Sequence, residues 1–210
     1  MALFDGLYIY EVVLLICGIA LFLALLAAFL RKVFTNQDYK GLLAFFVLPI
    51  AMIGFPSVTS FQVKTAVGDI EVQTTALQSH PQDETARTAL QAQVSKIEAR
   101  PIKDPTLLAT IARAQFALGD DSKAESNLKA VLAAVPTLAP AVELKNKIEL
   151  TNNLKAQTTA AESHPEDAKA REELQSTYMK LSQLPLANPK AIASMSKAQT
   201  VLQQNTPNNR

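Results

Sequence analysis

The chain has 210 residues, with 20 lysines and arginines against 19 acids. That near-neutral balance argues against nucleic acid as a partner, because nucleic-acid binders concentrate basic residues on one face. The single cysteine, Cys17, excludes a disulfide framework or a cysteine-built metal site within one chain.

Leu7 to Leu30 is almost unbroken apolar sequence, longer than the ~20 residues needed to cross a ~30 Å hydrocarbon core. A secretory signal would want a basic start, a shorter core and a small-residue cleavage site. The N-terminus is instead the acidic MALFDG, and no such site follows, so the stretch reads as a retained span. Tyr8 and Tyr10 suit the membrane–water interface. Glu11 comes just after them, and a carboxylate inside a span is by default a candidate for function. The plainer reading is a carboxylate near the span's start that reaches headgroup water. Ala20, Ala24 and Ala28 recur at four-residue spacing, a small-residue face for packing on a second span, another copy of the chain or a foreign subunit.

A polar break, RKVFTNQDYK, carries Arg31, Lys32 and Lys40. The apolar run from Gly41 to about Phe55 or Phe61 completes a transmembrane helical hairpin, with a kink expected at Pro49, which removes a backbone donor. Orientation follows from charge. The short loop holds three basic residues, whereas Asp5 precedes the first span and only Lys64 comes before Asp69 and Glu71 after the second. The loop then belongs in the cytoplasm and both termini outside. In a bacterium this means two spans in the inner membrane and a periplasmic C-terminal domain.

Beyond the membrane the chain is duplicated. TTALQSHPQDETARTALQ at Thr74 to Gln91 returns as TTAAESHPEDAKAREELQ at Thr158 to Gln175, and 18 of the 45 positions from Thr74 to Leu118 are identical to those from Thr158 to Leu202. Pro81, Asp83, Arg87 and Leu90 pair with Pro165, Asp167, Arg171 and Leu174. Shared prolines at the breaks, with shared apolar spacing between them, predict that the same helices recur. Helices are expected near 69–79, 83–99, 105–118, 121–134, 140–162, 166–183 and 189–204. The one stretch open to a strand reading is FQVKTAV at Phe61 to Val67. The tail NTPNNR is polar and reads as frayed or disordered over 205–210.

Within the first copy, Asp104 to Pro136 reads as two amphipathic helices meeting at a tight turn. Leu107, Leu108, Ile111, Ala114 and Leu118 follow the helical template in the first, and Ala124, Leu128, Val131 and Leu132 in the second. Gly119 supplies the turn, with Asp120, Asp121 and Ser122 offering an N-cap at once. Ala112 and Ala124 stand where two helices must cross closely. With Pro105 as its first position, the unit resembles a tetratricopeptide repeat in its small residues Ala112 and Ala124, its turn Gly119, its apolar Leu128 and its terminal Pro136. It departs from that pattern at Gln115, where an aromatic is expected, with Phe116 one residue on. Such a unit buries its apolar face only by stacking on neighbours. The resemblance implies an all-α fold: a two-span anchor over 1–62, then a short tetratricopeptide-like α-solenoid over 63–204. The second copy stops near Gln204 and lacks the glycine turn, as a capping element would.

The resemblance also implies a concave face lined by Thr106, Ala109, Arg113 and Phe116, duplicated at Lys190, Ala193, Lys197 and Thr200. Arg113 and Lys197 keep a cation at the same place in both copies, suited to an acidic or carboxylate-bearing peptide. His80 and His164 occupy matching places in the motif SHP-x-D, but each sits in a turn between a proline and an N-cap aspartate, so no metal is expected. No phosphate loop, nucleophile elbow or zinc-protease motif is present, and no catalytic residue or cofactor is expected. The function that follows is a membrane-anchored scaffold for protein–protein contact, an accessory or assembly subunit of a bacterial membrane complex, with self-association possible. The competing class is a membrane-active subunit handling ions or protons, in which the hairpin does the work.

Overall fold

The computed structural model describes residues 7–35 and 43–204, apart from the side chains of residues 56, 57, 59 and 60. Asp5, Lys40, the start of the second apolar run at Gly41 and the tail from Asn205 lie outside the described residues. Every regular element is helical, and no strand occurs among the described residues. In chain order they are α1 (Ile9–Phe34), a 3-10 turn (Ala44–Phe46), α2 (Val47–Ser79), α3 (Glu84–Glu98), α4 (Pro105–Leu118), α5 (Asp121–Ala134), α6 (Ala139–Ser163), α7 (Ala168–Ser182) and α8 (Pro189–Gln204). The chain divides into two compact units, Met1–Ala66 with Lys96–Asp104, and Val67–Ser95 with Pro105–Arg210.

In the first unit, α1 is 26 residues long and holds an 18-residue stretch with a mean hydropathy of 3.1, long and apolar enough to cross a bilayer. The apolar helix that follows the loop, Ala44–Phe55, is shorter than a span needs by itself. It does not end there. The expected break before residue 69 is absent, and α2 continues as one helix of 33 residues through Phe61 to Val67, the stretch most open to a strand reading. Pro49 causes no mid-helix break because it lies in the first turn of α2, where its missing N–H has no intrahelical acceptor. The 3-10 turn immediately before it absorbs the change of geometry.

The face of α1 turned towards the second apolar segment is not the alanine row. Ala20, Ala24 and Ala28 are all exposed. Gly18 is buried instead, and a Cβ placed on it would lie 3.0 Å from both Met52 Cβ and Ile53 Cγ1. Phe22 and Phe29 meet Phe46 edge to face, with ring centroids 5.5 and 6.3 Å apart. Gly18, Phe22 and Phe29 share one helix face by their spacing, and the glycine is its point of closest approach.

In the second unit the duplication is reproduced element by element. Helix α7 repeats α3 at the 84-residue offset, α8 starts one offset after α4, and α2 and α6 end on Ser79 and Ser163. Burial repeats too: Ile70, Thr74, Leu77 and Leu90 are buried, as are Leu154, Thr158, Ala161 and Leu174. Thr74 and Thr158 each donate 2.7 Å hydrogen bonds to the carbonyl four residues back, on Ile70 and Leu154. In both SHP-x-D turns the aspartate N–H donates to the histidine carbonyl. The same aspartates cap the next helix, Asp83 accepting from the Ala86 N–H and Asp167 from those of Lys169 and Ala170. The expected N-caps are therefore in place.

The α4–α5 pair takes the form its sequence predicts. Gly119 has φ +84°, a conformation that disfavours side chains. Its N–H donates to Phe116 O and that of Asp120 to Gln115 O, the two bonds of a Schellman turn. Asp120 then caps α5 through the Lys123 N–H. Ala109, Ala112, Phe116, Ala124, Leu128 and Val131 form one core with Ala141, Leu144 and Ile148 of α6. Gln115, at the expected aromatic position, is buried and accepts from Asn127 Nδ2 at 2.9 Å, so its polarity is satisfied across the helix pair. A second core gathers Leu154, Ala161, Leu174, Leu181, Ala198 and Val201 from α6, α7 and α8.

Candidate functional site

The residues expected to line a concave face separate by burial. Ala109 and Phe116 belong to the α4–α5–α6 core, 1% and 6% exposed, and have no surface to offer a partner. The cause is the cover supplied by α5 and α6, which no local pattern in α4 reveals. Thr106, Arg113, Lys190 and Lys197 keep surface.

Each of these cations faces an acid of the same chain. Arg113 Nη1 lies 3.6 Å from Glu71 Oε1, Lys190 Nζ 3.6 Å from Asp121 Oδ2, and Lys197 Nζ 2.7 Å from Glu162 Oε2. The shared cation of the two copies is thus neutralised in both, but by acids from non-equivalent positions. A purely acidic peptide would have to displace these carboxylates.

Lys147, the equivalent of Val63 at the duplication offset, lies in no sequence motif that would mark it. It is buried, with Nζ 2.8 Å from Glu143 Oε1. Arg113, Glu143 and Lys147 line a small cleft with Gln78 and Pro185. The hydrogen bond from Lys147 holds the Glu143 carboxyl below its usual 4.5, with the positive charges of Lys147 and Arg113 acting the same way and burial opposing them. A depressed carboxyl contributes stability that is present above its unfolded pKa and is lost as pH falls through its folded one. Melting temperature should therefore drop as pH is lowered from about 4.5 in this group's window, and the drop should be shallower in Lys147→Met. Identical acid limbs for the two proteins, measured by circular dichroism, would show that the pair carries no linkage.

The face of α8 equivalent to the α5-covered face of α4 is not apolar. Where α4 has Ala109, Ala112 and Phe116, the second copy has Ala193, Ser196 and Thr200, all exposed. Asn188 joins the copies: its Oδ1 caps α8 through the Lys190 and Ala191 N–H groups, and its Nδ2 donates to Asp121 at 2.6 Å.

No family model, curated protein or solved structure matches the chain.

In the first unit the candidate is Glu11. It is 2% exposed and does not reach water. The Tyr8 N–H donates to its Oε2 at 2.8 Å, half of a capping box on α1. Arg100 Nη1 lies 3.7 Å from the same oxygen, and the guanidinium carbon sits 5.5 Å from the Tyr8 ring centre. The Tyr8 hydroxyl donates to Ala99 O at 2.7 Å, and its ring stacks on Tyr10. Burying a carboxylate costs several kcal/mol unless it is paired and hydrogen-bonded, and both conditions are met. The arrangement ties the start of α1 to the segment after α3. No local pattern links Arg100 to Glu11, because the two are 89 residues apart in sequence. His80 and His164 are exposed in their turns. Among the described residues no group of three or more His, Cys, Asp or Glu is placed to hold a metal.

Proposed function

We propose that the protein is a membrane-anchored scaffold whose helical repeat unit makes protein–protein contacts, as an accessory or assembly subunit of a bacterial membrane complex. The observation that carries this reading is the pairing, in one chain, of a span-grade helix with exposed large apolar side chains and a duplicated stack of helix pairs. Stacked helix pairs of this kind build extended surfaces for other proteins, and the tetratricopeptide likeness of Pro105 to Pro136 is part of the proposal. The anchor is a hairpin whose second arm runs through Val47, Leu48, Ile50, Phe55, Val58 and Phe61. These six are between 56% and 72% exposed, a surface that lipid would cover. Thr106, Arg113, Lys190 and Lys197 are the contact residues proposed.

The test is a detergent pull-down with the tagged full chain, read by mass spectrometry against the variant Arg113→Glu/Lys197→Glu. A defined set of membrane-complex subunits, depleted several-fold in the variant, is the expected result. Recovery of the same proteins by both would sink the contact assignment.

The loop charges Arg31 and Lys32 support an orientation with the loop on the inner side and the repeat unit outside the cytoplasm. A cysteine at Ser122, in a Cys17→Ser background, should react with a membrane-impermeant maleimide in intact spheroplasts. Reaction only after lysis would reverse the topology. The membrane-active alternative rests chiefly on Glu11, and the contacts of Glu11 to Tyr8 and Arg100 favour a structural role. Glu11→Gln should lower the melting temperature of the detergent-solubilised chain and leave ion flux in proteoliposomes at the level of protein-free vesicles. A flux that wild type supports and the variant abolishes would favour the alternative.

A further inference from the structure

At one place the two copies of the repeat differ in the sign of a charge. In the first copy Glu71 of α2 faces Arg113 of α4, Oε1 lying 3.6 Å from Nη1. One 84-residue offset later the same two positions are Lys155 of α6 and Lys197 of α8. The residues around them carry over. Thr74, Thr75 and Ala109 return as Thr158, Thr159 and Ala193, and Thr110 returns as Ser194, still a hydroxyl. The acid alone has become a base.

Those six residues of the second copy line one cleft of about 220 Å³. That is below the ~300–1,000 Å³ of small-ligand sites, a space for a side chain rather than a free metabolite. No acid lines it. Thr158, Thr159 and Ser194 direct their hydroxyl hydrogens into their own helices, onto the carbonyls of Leu154, Lys155 and Lys190 at 2.7, 3.1 and 2.8 Å. Two ammonium groups are left as the donors of the cleft. Lys197 bonds Glu162 at 2.7 Å, which uses one of its three N–H donors. Lys155 is exposed and pairs with no acid among the described residues. The first copy shows what chemistry fits such a place, because there a carboxylate stands against the cation.

We propose that the cleft between α6 and α8 receives the carboxylate of a glutamate or aspartate from a partner protein, held by Lys155 and Lys197 together. The partner's acid meets Lys197 as Glu71 meets Arg113. This site deepens the protein-contact reading and rests on it. It asks for one acidic side chain and not for a wholly acidic surface, because Glu162 keeps its own bond to Lys197. The first copy satisfies its cation within the chain, and the second leaves Lys155 for another protein.

The probe is the acetylated and amidated peptide Gly-Gly-Glu-Gly-Gly, with glutamine in place of glutamate as its comparison. It is titrated at low salt into the full chain in mild detergent, with isotope-labelled lysine, and the side-chain ammonium signals are read by NMR. Saturable shifts are expected at Lys155 and Lys197, several-fold larger than at the exposed Lys129 and several-fold larger than with the glutamine peptide. Lys155→Glu should rebuild the pair of the first copy. The response at Lys197 is then lost while the melting temperature rises by about 1–3 °C, which separates a filled site from a misfolded chain. Lys155→Met should lose the response without that rise. Shifts no larger than at Lys129, or equal for the two peptides, overturn the proposal. A larger response to inorganic phosphate at the same concentration also overturns it, since the cleft would then serve free anions. The detergent pull-down, repeated with Lys155→Glu, isolates the premise: failure to capture any defined set of subunits refutes the scaffold, and a defined set captured equally by Lys155→Glu refutes only the site.

Discussion

Arg87→Met should be among the most destabilising single substitutions in the repeat unit. Arg87 spans three separate stretches of backbone: Nη2 donates to Pro81 O at 2.8 Å and to Ala187 O at 3.3 Å, and Nη1 to Ala117 O at 3.2 Å. Those carbonyls belong to the turn before α3, the end of α4 and the segment before α8. The side chain is 15% exposed, so water does not readily replace it. At a net ~1 kcal/mol for each lost bond the cost is about 3 kcal/mol. In a chain of this size that corresponds to roughly 6–12 °C in melting temperature. Arg87→Lys should recover less than half of the loss, because one ammonium lacks the fork that bridges separated carbonyls. Glu84→Ala should cost almost nothing, since Glu84 is 79% exposed at 3.6 Å from Arg87. A melt of Arg87→Met within about 2 °C of wild type would show that the three bonds hold nothing together.

Arg87 also marks the line between what the sequence revealed and what it concealed. Its recurrence as Arg171 was visible, and so were the helices around it, because Pro81, Asp83, Gly119 and Pro105 act locally. A cap, a left-handed turn and a helix-starting proline each need only three or four neighbouring residues to be recognised. Hence the helices from α3 onward lie within about two residues of expectation. What Arg87 bonds to was hidden, because Ala117 and Ala187 are 30 and 100 residues away in sequence. The same distance effect misplaced Ala109 and Phe116 on an open face and left Glu11 without its partner Arg100. The absent break in α2 has a different cause. Between Val58 and Ser79 no proline interrupts the chain, and Gly68, the one glycine there, has open space around it, so no residue forces the helix to end.

Gly18→Leu should separate the two apolar segments of the first unit. The alanines at 20, 24 and 28 drew attention because they form a period, whereas a lone glycine among large apolar residues is the stronger steric signal. A Cβ at position 18 would stand 3.0 Å from Met52 Cβ, 3.0 Å from Ile53 Cγ1 and 3.3 Å from Ile53 N. These atoms sit on or next to backbone, so no flexible chain end can swing aside. Overpacking commonly costs ~1–3 kcal/mol, and a rigid neighbour puts leucine at the upper end of that range or beyond it. Cysteines replacing Phe22 and Phe46 in a Cys17→Ser background report the separation, since those rings touch edge to face. Oxidative cross-linking of this pair in detergent should fall several-fold when Gly18→Leu is added, with Gly18→Ala intermediate. Gly54→Leu is the matched control, because no atom lies within 4 Å of a Cβ built there, and it should leave the yield unchanged. Equal cross-linking with and without Gly18→Leu would mean that α1 does not meet Met52 and Ile53 at this glycine, and the packing assigned to the first unit would be wrong.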